Sequence, residues 1–337
     1  MIQFLHTYGK SCITLAAPLI AARPDPRVDR WIRRTLATVS PKAKSLVVTV
    51  WGDSIAPHGA AVWLGDLIAL LDPFGINERL VRTSVFRLAQ EGWLTARQDG
   101  RRSMYRLTPL GQRRFEHAYR RIYAPPATDP WDGEWHLVIV PPAAMNESAR
   151  RELRKELGWD GFGMLGPGLF GRPSRPGNEV AVRETTRALH IEARVAVVTA
   201  RALPHGPAHR TASIAALSEG CWDLKGVAAG YRDFVARFRS VGRALDAGAD
   251  PTPQQCFVLR TLLIHEFRRV TLHDPQLPDQ LLPSDWPEAA AYALCRELYR
   301  STHLPAERHL STMLAVPGAA LRRATPAFYQ RFGGLRS

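Results

Sequence analysis

Arginines recur along one side of a short stretch, Asn77 to Gln90, in a pattern suited to contact with a polyanion. At about 100° per residue, Arg79, Arg82, Thr83, Phe86 and Gln90 share one helical face. Val81, Ser84, Val85 and Leu88 share the opposite face, so one side can pack while the other meets phosphates and base edges. Arg79, Arg82 and Thr83 stand nearest the bases or phosphates and Arg87 flanks them, because a guanidinium fork can bridge a phosphate or a guanine edge. Phe86 either touches a thymine methyl or packs against the segment that follows. That segment reads Trp93-Leu94-Thr95-Ala96, a polar turn at Gln98-Asp99-Gly100 with Arg101 and Arg102, then Met104-Tyr105-Arg106-Leu107. Asp-Gly between two strand-like runs predicts a β-hairpin, whose tip would bring Arg101 and Arg102 to phosphate or the minor groove. A solvated charged face is the alternative. The charge distribution argues against it: residues 1–123 hold 19 Lys and Arg against 9 Asp and Glu, a balance of +10 out of +14 for the whole chain. A field concentrated there supplies the attraction that phosphate contact and counterion release require.

The elements that would hold this face lie on either side of it. Val62 to Phe74 repeats Leu64, Leu67, Ile68 and Leu71 at helical intervals and ends at Pro73. Gly75-Ile76 makes the turn and Asn77 stands where an N-cap belongs, so helix, short turn and basic helix form a helix-turn-helix with the hairpin as its wing. Thr108-Pro109 opens a further helix running to about Tyr123. Upstream, Lys44 to Ser54 is apolar enough for a buried strand or a helix, and periodicity leaves both open. Arg23 to Arg34 reads as a solvated helix, with a basic arm or a packing helix as alternatives. Ser11 to Ala22 after Lys10 has the outline of a secretory signal, but Pro18 interrupts it and it is too short to span a membrane; it reads instead as an N-terminal extension.

Other chemistries find little support. His265-Glu266 has Arg269 where the second histidine of a zinc-protease motif belongs. The glycines from Gly158 to Gly168 are not followed by Gly-Lys-Ser/Thr and read as turns rather than a phosphate cradle. Cys12, Cys221, Cys256 and Cys295 are isolated, which suits free thiols in a reducing cytoplasm, and no cofactor signature is present.

Beyond the prolines of residues 124–130 a second unit begins. Trp135 to Val140 reads as a strand, Asn146 to Leu157 as a helix and Gly161 to Phe170 as strand and turn; Arg183 to Ile191 follows as a helix and Ala193 to Thr199 as a strand. This alternation suits an α+β sandwich. The remainder is helical, with Trp222, Tyr231, Phe234 and Phe238 as core and a helix over Gln254 to Val270. A Pro-rich loop anchored by leucines then spans Asp274 to Pro287.

Several ordered motifs together resemble the PaaX-like family of transcriptional repressors of phenylacetate degradation operons. They are Ser45 to Asp53, Val62 to Ile68, Gly75 to Leu94, Gly100 to Leu107, Trp131 to Val138, Leu262 to Pro287 and Ala293 to Tyr299. Trp51 and Met104 depart from it, standing where other members more often carry another aromatic residue. The resemblance implies an α+β multidomain chain. Residues 1–39 would be an N-terminal extension and 40–124 a winged helix-turn-helix DNA-binding domain. A ferredoxin-like, Cas2-like middle domain would follow at 125–213 and a helical C-terminal domain at 214–337. The chain is therefore expected to be a cytoplasmic, non-enzymatic repressor that binds double-stranded operator DNA, as a homodimer because one recognition helix reads only a few base pairs; the effector the resemblance implies is phenylacetyl-CoA, with a different aryl-CoA or a free aromatic acid as alternatives. Such an effector needs aromatic walls and cations in a cleft between the middle and C-terminal domains. Trp159, Phe162, Arg172, His265, Arg268 and Arg269 are the candidates. The Cas2-like fold also raises a metal-dependent nuclease as an alternative, for which Asp132 and Glu134 are the acids at hand.

Overall fold

The computed structural model describes residues 23–126, 130–174, 178–188, 191–201, 220–314 and 321–335. The signal-like stretch and residues 127–129 of the proline-rich linker lie outside the described residues. Helix α1, Pro26–Val39, opens on Asp25, whose carboxylate accepts from the Arg27 and Val28 amides. Its Val28, Trp31, Ile32 and Thr35 are buried, so the expected solvated helix is instead a packing helix. Its partners are far along the chain: Trp31 Nε1 donates to the Arg237 carbonyl at 3.1 Å and the Asp25 amide donates to Gln255 Oε1 at 2.9 Å.

The ambiguous run from Lys44 is helical: α2, Ala43–Val50, continues into a π-helical turn, Trp51–Ile55. Strand β1, Ala61–Trp63, takes the first residues of the helix expected from Val62, and α3 is Leu64–Leu71. Pro73 lies in a 3-10 turn closed by Gly75 at φ +72°, a left-handed conformation that glycine adopts without steric cost. Then come α4, Glu78–Gln90, the strands β2, Leu94–Asp99, and β3, Arg102–Leu107, and α5, Pro109–Tyr123. The three strands form an antiparallel sheet in the order β1-β3-β2.

A separate sheet follows. Strand β4, Glu134–Ile139, helix α6, Glu147–Trp159, strands β5, Gly163–Gly166, and β6, Leu169–Pro173, helix α7, Asn178–Ala188, and strand β7, Ala196–Arg201, run in the order βαββαβ. The sheet order β5-β6-β4-β7, antiparallel throughout, is that of a ferredoxin-like sandwich. Helix α7 starts at Asn178, five residues before the expected Arg183, and a 3-10 turn at Glu192–Arg194 delays the last strand to Ala196. Val138, Val140, Leu153, Leu157, Phe162, Phe170, Val182 and Ile191 make its core.

The C-terminal part consists of α8, Leu224–Asp246, α9, Pro253–Thr271, and α10, Glu288–Met313, followed by the short helix α11, Pro326–Tyr329. Helix α9 is buried nearly all round, from Gln255 through Phe267. Tyr231, Phe234 and Phe238 are core as expected, while Trp222 is half-buried and stacks on Trp135. One continuous hydrophobic cluster runs from Val28 through α2 to α5 and on to Phe328 and Leu335, so the first and last thirds of the chain share a core.

At its centre lies a charge cluster. Asp53, in the π-helical turn, meets Arg260 Nε at 3.0 Å and Arg331 Nη1 at 3.1 Å and accepts from the hydroxyls of Tyr123 and Tyr299 at 2.7 and 2.9 Å. Asp53, Arg260 and Arg331 are all inaccessible to solvent, and Arg260 also pairs with Glu307 at 2.7 Å. From this wider turn of helix one side chain meets partners on four other elements, α5, α9, α10 and the turn at Arg331–Gly333.

Candidate nucleic-acid interface

Helix α4 begins where Asn77 Oδ1 accepts the Leu80 amide at 3.0 Å. Val81, Ser84, Val85 and Leu88 face the core, and Ser84 Oγ donates to the Leu80 carbonyl at 2.7 Å. Arg79, Arg82, Thr83, Phe86, Arg87 and Gln90 are exposed. Thr83 Oγ1 donates to the Arg79 carbonyl at 2.8 Å. Arg82 is tied to Glu78 one turn earlier, 2.6 Å from Nη2 to Oε1, and an incoming phosphate or base would have to displace this pair. Phe86 is 58% exposed, so much of its ring is open to solvent. Leu80, also exposed, went unnoticed in the sequence because it interrupts the polar face.

The hairpin pairs Asp99 with Arg102, so the turn itself is Gly100-Arg101, one step beyond the expected Gln98-Asp99-Gly100. Gly100 has φ +57° and Arg101 a negative φ, the backbone pattern of a two-residue turn with glycine first. Arg101 and Arg102 are exposed, and the Arg102 guanidinium lies 4.8 Å from the Trp63 ring centre. Asp66 sits close enough for Arg102 to lower its carboxyl, although burial has the larger, raising effect.

The six candidate effector residues do not form one cluster. Trp159 ends α6, Phe162 is in the sandwich core, and Arg172 on β6 lies 5.8 Å over the Phe162 ring and donates to the Asp160 carbonyl. Arg172 and Phe162 come together, whereas the Trp159 ring packs against the larger core shared by the first and last thirds of the chain. His265 and Arg268 face α2 instead: His265 Nδ1 is 2.9 Å from Thr49 Oγ1, and Arg268 donates to Thr49 Oγ1 at 2.8 Å, the Ser45 carbonyl at 2.9 Å and Ser45 Oγ at 2.7 Å. Burial, reinforced by Arg268 and Arg269, pushes the His265 imidazole down to about 3, so it is neutral; burial brings Arg268 to about 10. Arg269 pairs with Glu266 at 3.0 Å. His265 is buried and Arg268 half-buried, and both are hydrogen-bonded to α2, which engages the polar atoms expected to meet a ligand and fastens α9 to the helix beneath α4.

Sequence reasoning missed Arg121, near the end of α5. It donates to the Trp159 carbonyl at 2.6 Å, the Thr271 carbonyl at 3.1 Å and the Asp274 carbonyl, joining the C-terminal ends of α6 and α9. Arg114 meets Glu156 at 3.3 Å about two turns earlier. In sequence these arginines read only as cations on a helix near its C-terminus, because their partners come from elsewhere in the chain.

The acids considered for metal-dependent cleavage are engaged: Asp132 and Glu134 both pair with Arg201, at 3.3 and 3.1 Å. Among the described residues no group of three or more His, Cys, Asp or Glu stands together as metal ligands do, and no helix is long and apolar enough to cross a membrane.

Comparison with known proteins covers most of the chain. Residues 42–111 match the PaaX-like protein family, residues 128–215 the PaaX protein central Cas2-like domain, and residues 222–312 the PaaX-like protein C-terminal domain. The transcriptional repressor PaaX of Escherichia coli strain K12 is 35% identical over 316 residues, 92% of this chain and 96% of its own length. A solved structure, the uncharacterized protein Rv0674 from Mycobacterium tuberculosis, is 27% identical with a TM-score of 0.46, covering 80% of this chain and 98% of its own. The three matches fall in order on the hairpin-bearing segment, the βαββαβ sandwich and the helical remainder, and with the identity to the Escherichia coli repressor they establish that the chain belongs to the PaaX-like family.

Proposed function

We propose that the chain is a sequence-specific DNA-binding transcriptional repressor of an aromatic-acid catabolic operon, that of phenylacetate, released from its operator by an aryl-CoA, phenylacetyl-CoA. The observation that carries the reading is the solvent-facing side of α4, a row of Arg79, Arg82, Thr83, Phe86 and Arg87 above a packed Val81–Leu88 side, in a chain 35% identical to a named repressor. In this reading residues 40–124 act as a winged helix-turn-helix: α4 enters the major groove and Arg101 and Arg102 at the hairpin tip hold the backbone. Residues 125–213 and 214–337 serve as the sandwich and helical domains. One recognition helix reads few base pairs, so a homodimer engages two half-sites.

The effector is received near the end of α6, where the Trp159 carbonyl is hydrogen-bonded to α5 and Arg172, lying over the Phe162 ring, holds the neighbouring Asp160 carbonyl. Aromatic rings and guanidinium groups there suit an aryl thioester with an anionic nucleotide. Arg269, on the exposed end of α9, is a further cation for it, and His265 and Arg268 serve as fasteners. Release requires that the ligand favour a conformation that fits DNA poorly. Titrating phenylacetyl-CoA, free CoA and phenylacetate into a complex with the promoter DNA of the neighbouring catabolic genes tests the reading. Dissociation by the thioester alone is expected; a complex indifferent to all three, or no complex at moderate salt, refutes it.

A further inference from the structure

The outward face of the three-stranded sheet carries charges that neither α4 nor the hairpin tip accounts for. Strand alternation puts Arg102, Met104 and Arg106 of β3 on one face. The register sets Trp63 of β1 and Arg97 of β2 opposite Met104 on either side. Val62, Leu94, Tyr105 and Leu107 point the other way, into the core. Three arginines therefore ring Met104: Arg97 across from it, and Arg102 and Arg106 two residues away along β3, at steps of about 7 Å.

All three are exposed. Arg102 is braced on Trp63 and has Asp99 opposite and Asp66 nearby. Among the described residues, neither Arg97 nor Arg106 pairs with a carboxylate. Arg102 gains Trp63 and Asp99 from the fold, but Arg97 lies diagonal to two like charges and Arg106 faces Thr95, so neither of these two gains a favourable cross-strand charge pair. Guarding a sheet edge against unwanted pairing would explain Arg97, because β2 is an edge strand, but not Arg102 and Arg106, because β3 is central.

We propose that this face is a second polyanion surface, a track for the phosphodiester backbone of duplex DNA beside the site read by α4, with Arg97 and Arg106 each neutralising a phosphate. Only Glu91 to Trp93 separate α4 from β2, so helix and sheet move as one body and a duplex held by one runs past the other. The track carries no base-reading groups. Its contribution is sequence-independent affinity and a longer footprint. The proposal rests on the DNA-binding reading of α4, and the test separates the two.

The full chain is bound to a random-sequence duplex over a series of salt concentrations, read by fluorescence anisotropy. Each lost phosphate contact lowers the slope of log affinity against log salt by about 0.9. Arg97→Gln/Arg106→Gln should therefore flatten it by about two, so that between 50 and 200 mM salt the wild type loses roughly ten-fold more affinity than the variant. The ratio of operator to random-duplex affinity should stay unchanged. Arg97→Lys/Arg106→Lys should keep the wild-type slope, which separates charge from folding. Arg30→Gln/Arg33→Gln on α1, an equal loss of charge elsewhere, should leave it steep. A steep wild type with an equally steep Arg97→Gln/Arg106→Gln variant, or equal flattening by the α1 pair, overturns the track alone. A wild type that ignores the duplex overturns the DNA reading itself.

Discussion

Replacing Asp53 by asparagine keeps the shape of the side chain and removes the only carboxylate among the described residues that pairs with Arg331. Arg260 retains Glu307 at 2.7 Å, so the substitution leaves one buried guanidinium, not two, without a counter-charge. Breaking a buried pair from one side costs about 3–5 kcal/mol, and Asp53→Asn should fall at the upper end because Arg331 is sealed among Tyr119, Tyr123, Tyr299 and Phe328. Arg331→Met should cost less, about 3 kcal/mol, because Asp53 keeps Arg260 and both tyrosine hydroxyls; the losses are the ion pair to the Asp53 carboxylate at 3.1 Å and the bonds to the Tyr299 hydroxyl and to the Asp53 and Gly52 carbonyls at 2.9 and 3.2 Å. The double variant Asp53→Asn/Arg331→Met leaves no orphan charge and should be more stable than Asp53→Asn alone, a coupling that simple addition cannot produce. Urea titration followed by tryptophan fluorescence measures this, with buried Trp51 two residues from Asp53 as a local reporter. At a slope near 3 kcal/mol per molar, Asp53→Asn should move the midpoint by more than about 1 M. A shift worth less than about 1 kcal/mol, or strictly additive losses in the double variant, would refute the counter-charge argument.

Arg82→Ala should weaken operator binding by roughly 1–3 kcal/mol and relax preference at one position per half-site, measured by competition among single-base operator variants; unchanged preference would remove Arg82 from the bases. Acid should destabilise the protein in two stages. Burial holds His265 down to about 3 from 6.5, so the unfolded chain takes a proton first and stability falls as pH drops below 6.5, by at most about 1.4 kcal/mol per pH unit. Burial alone would raise the Glu307 carboxyl, but Arg260 and His58 outweigh it and hold it to about 2, so its share is lost only below 4.5. His265→Asn should flatten the melting temperature between pH 7 and 5, and an unchanged profile would assign the effect to another group. Sedimentation of the full chain at micromolar concentration should give a dimer; a monomer there would leave the two-half-site reading without support.

The helix and hairpin proposed to face DNA were legible because their signals are local. Asn77 caps the helix it precedes, Val81 to Leu88 repeat within two turns, and Asp99-Gly100 lies within one hairpin. The turn was misplaced by a single residue because glycine fits more than one position of a tight turn. Helix α1 misled because its apolar side finds partners more than 200 positions away, as Trp31 does with Arg237. The Lys44 run stayed ambiguous because a helix buried on several sides has no polar stripe to set its period. His265 and Arg268 suggested a ligand for a related reason: in a fully enclosed helix any polar residue looks functional, and Thr49 and Ser45, which satisfy them, cannot be found by spacing.

The cluster around Asp53 also sets a timetable for synthesis. Asp53 and Arg331 are 278 positions apart, so at about 5–20 residues per second the aspartate waits roughly 15 to 55 seconds after leaving the ribosome's catalytic centre for its last partner to be made. Through that interval α4 and the hairpin are complete as local elements, yet the core beneath them lacks α9, α10, Phe328 and Phe332. A nascent or prematurely terminated chain thus exposes a basic helix on an unfinished foundation and meets chaperones and proteases before it can hold DNA. If the chain represses as proposed, stop codons ahead of Arg331 should yield silence instead of a crippled competitor for the operator.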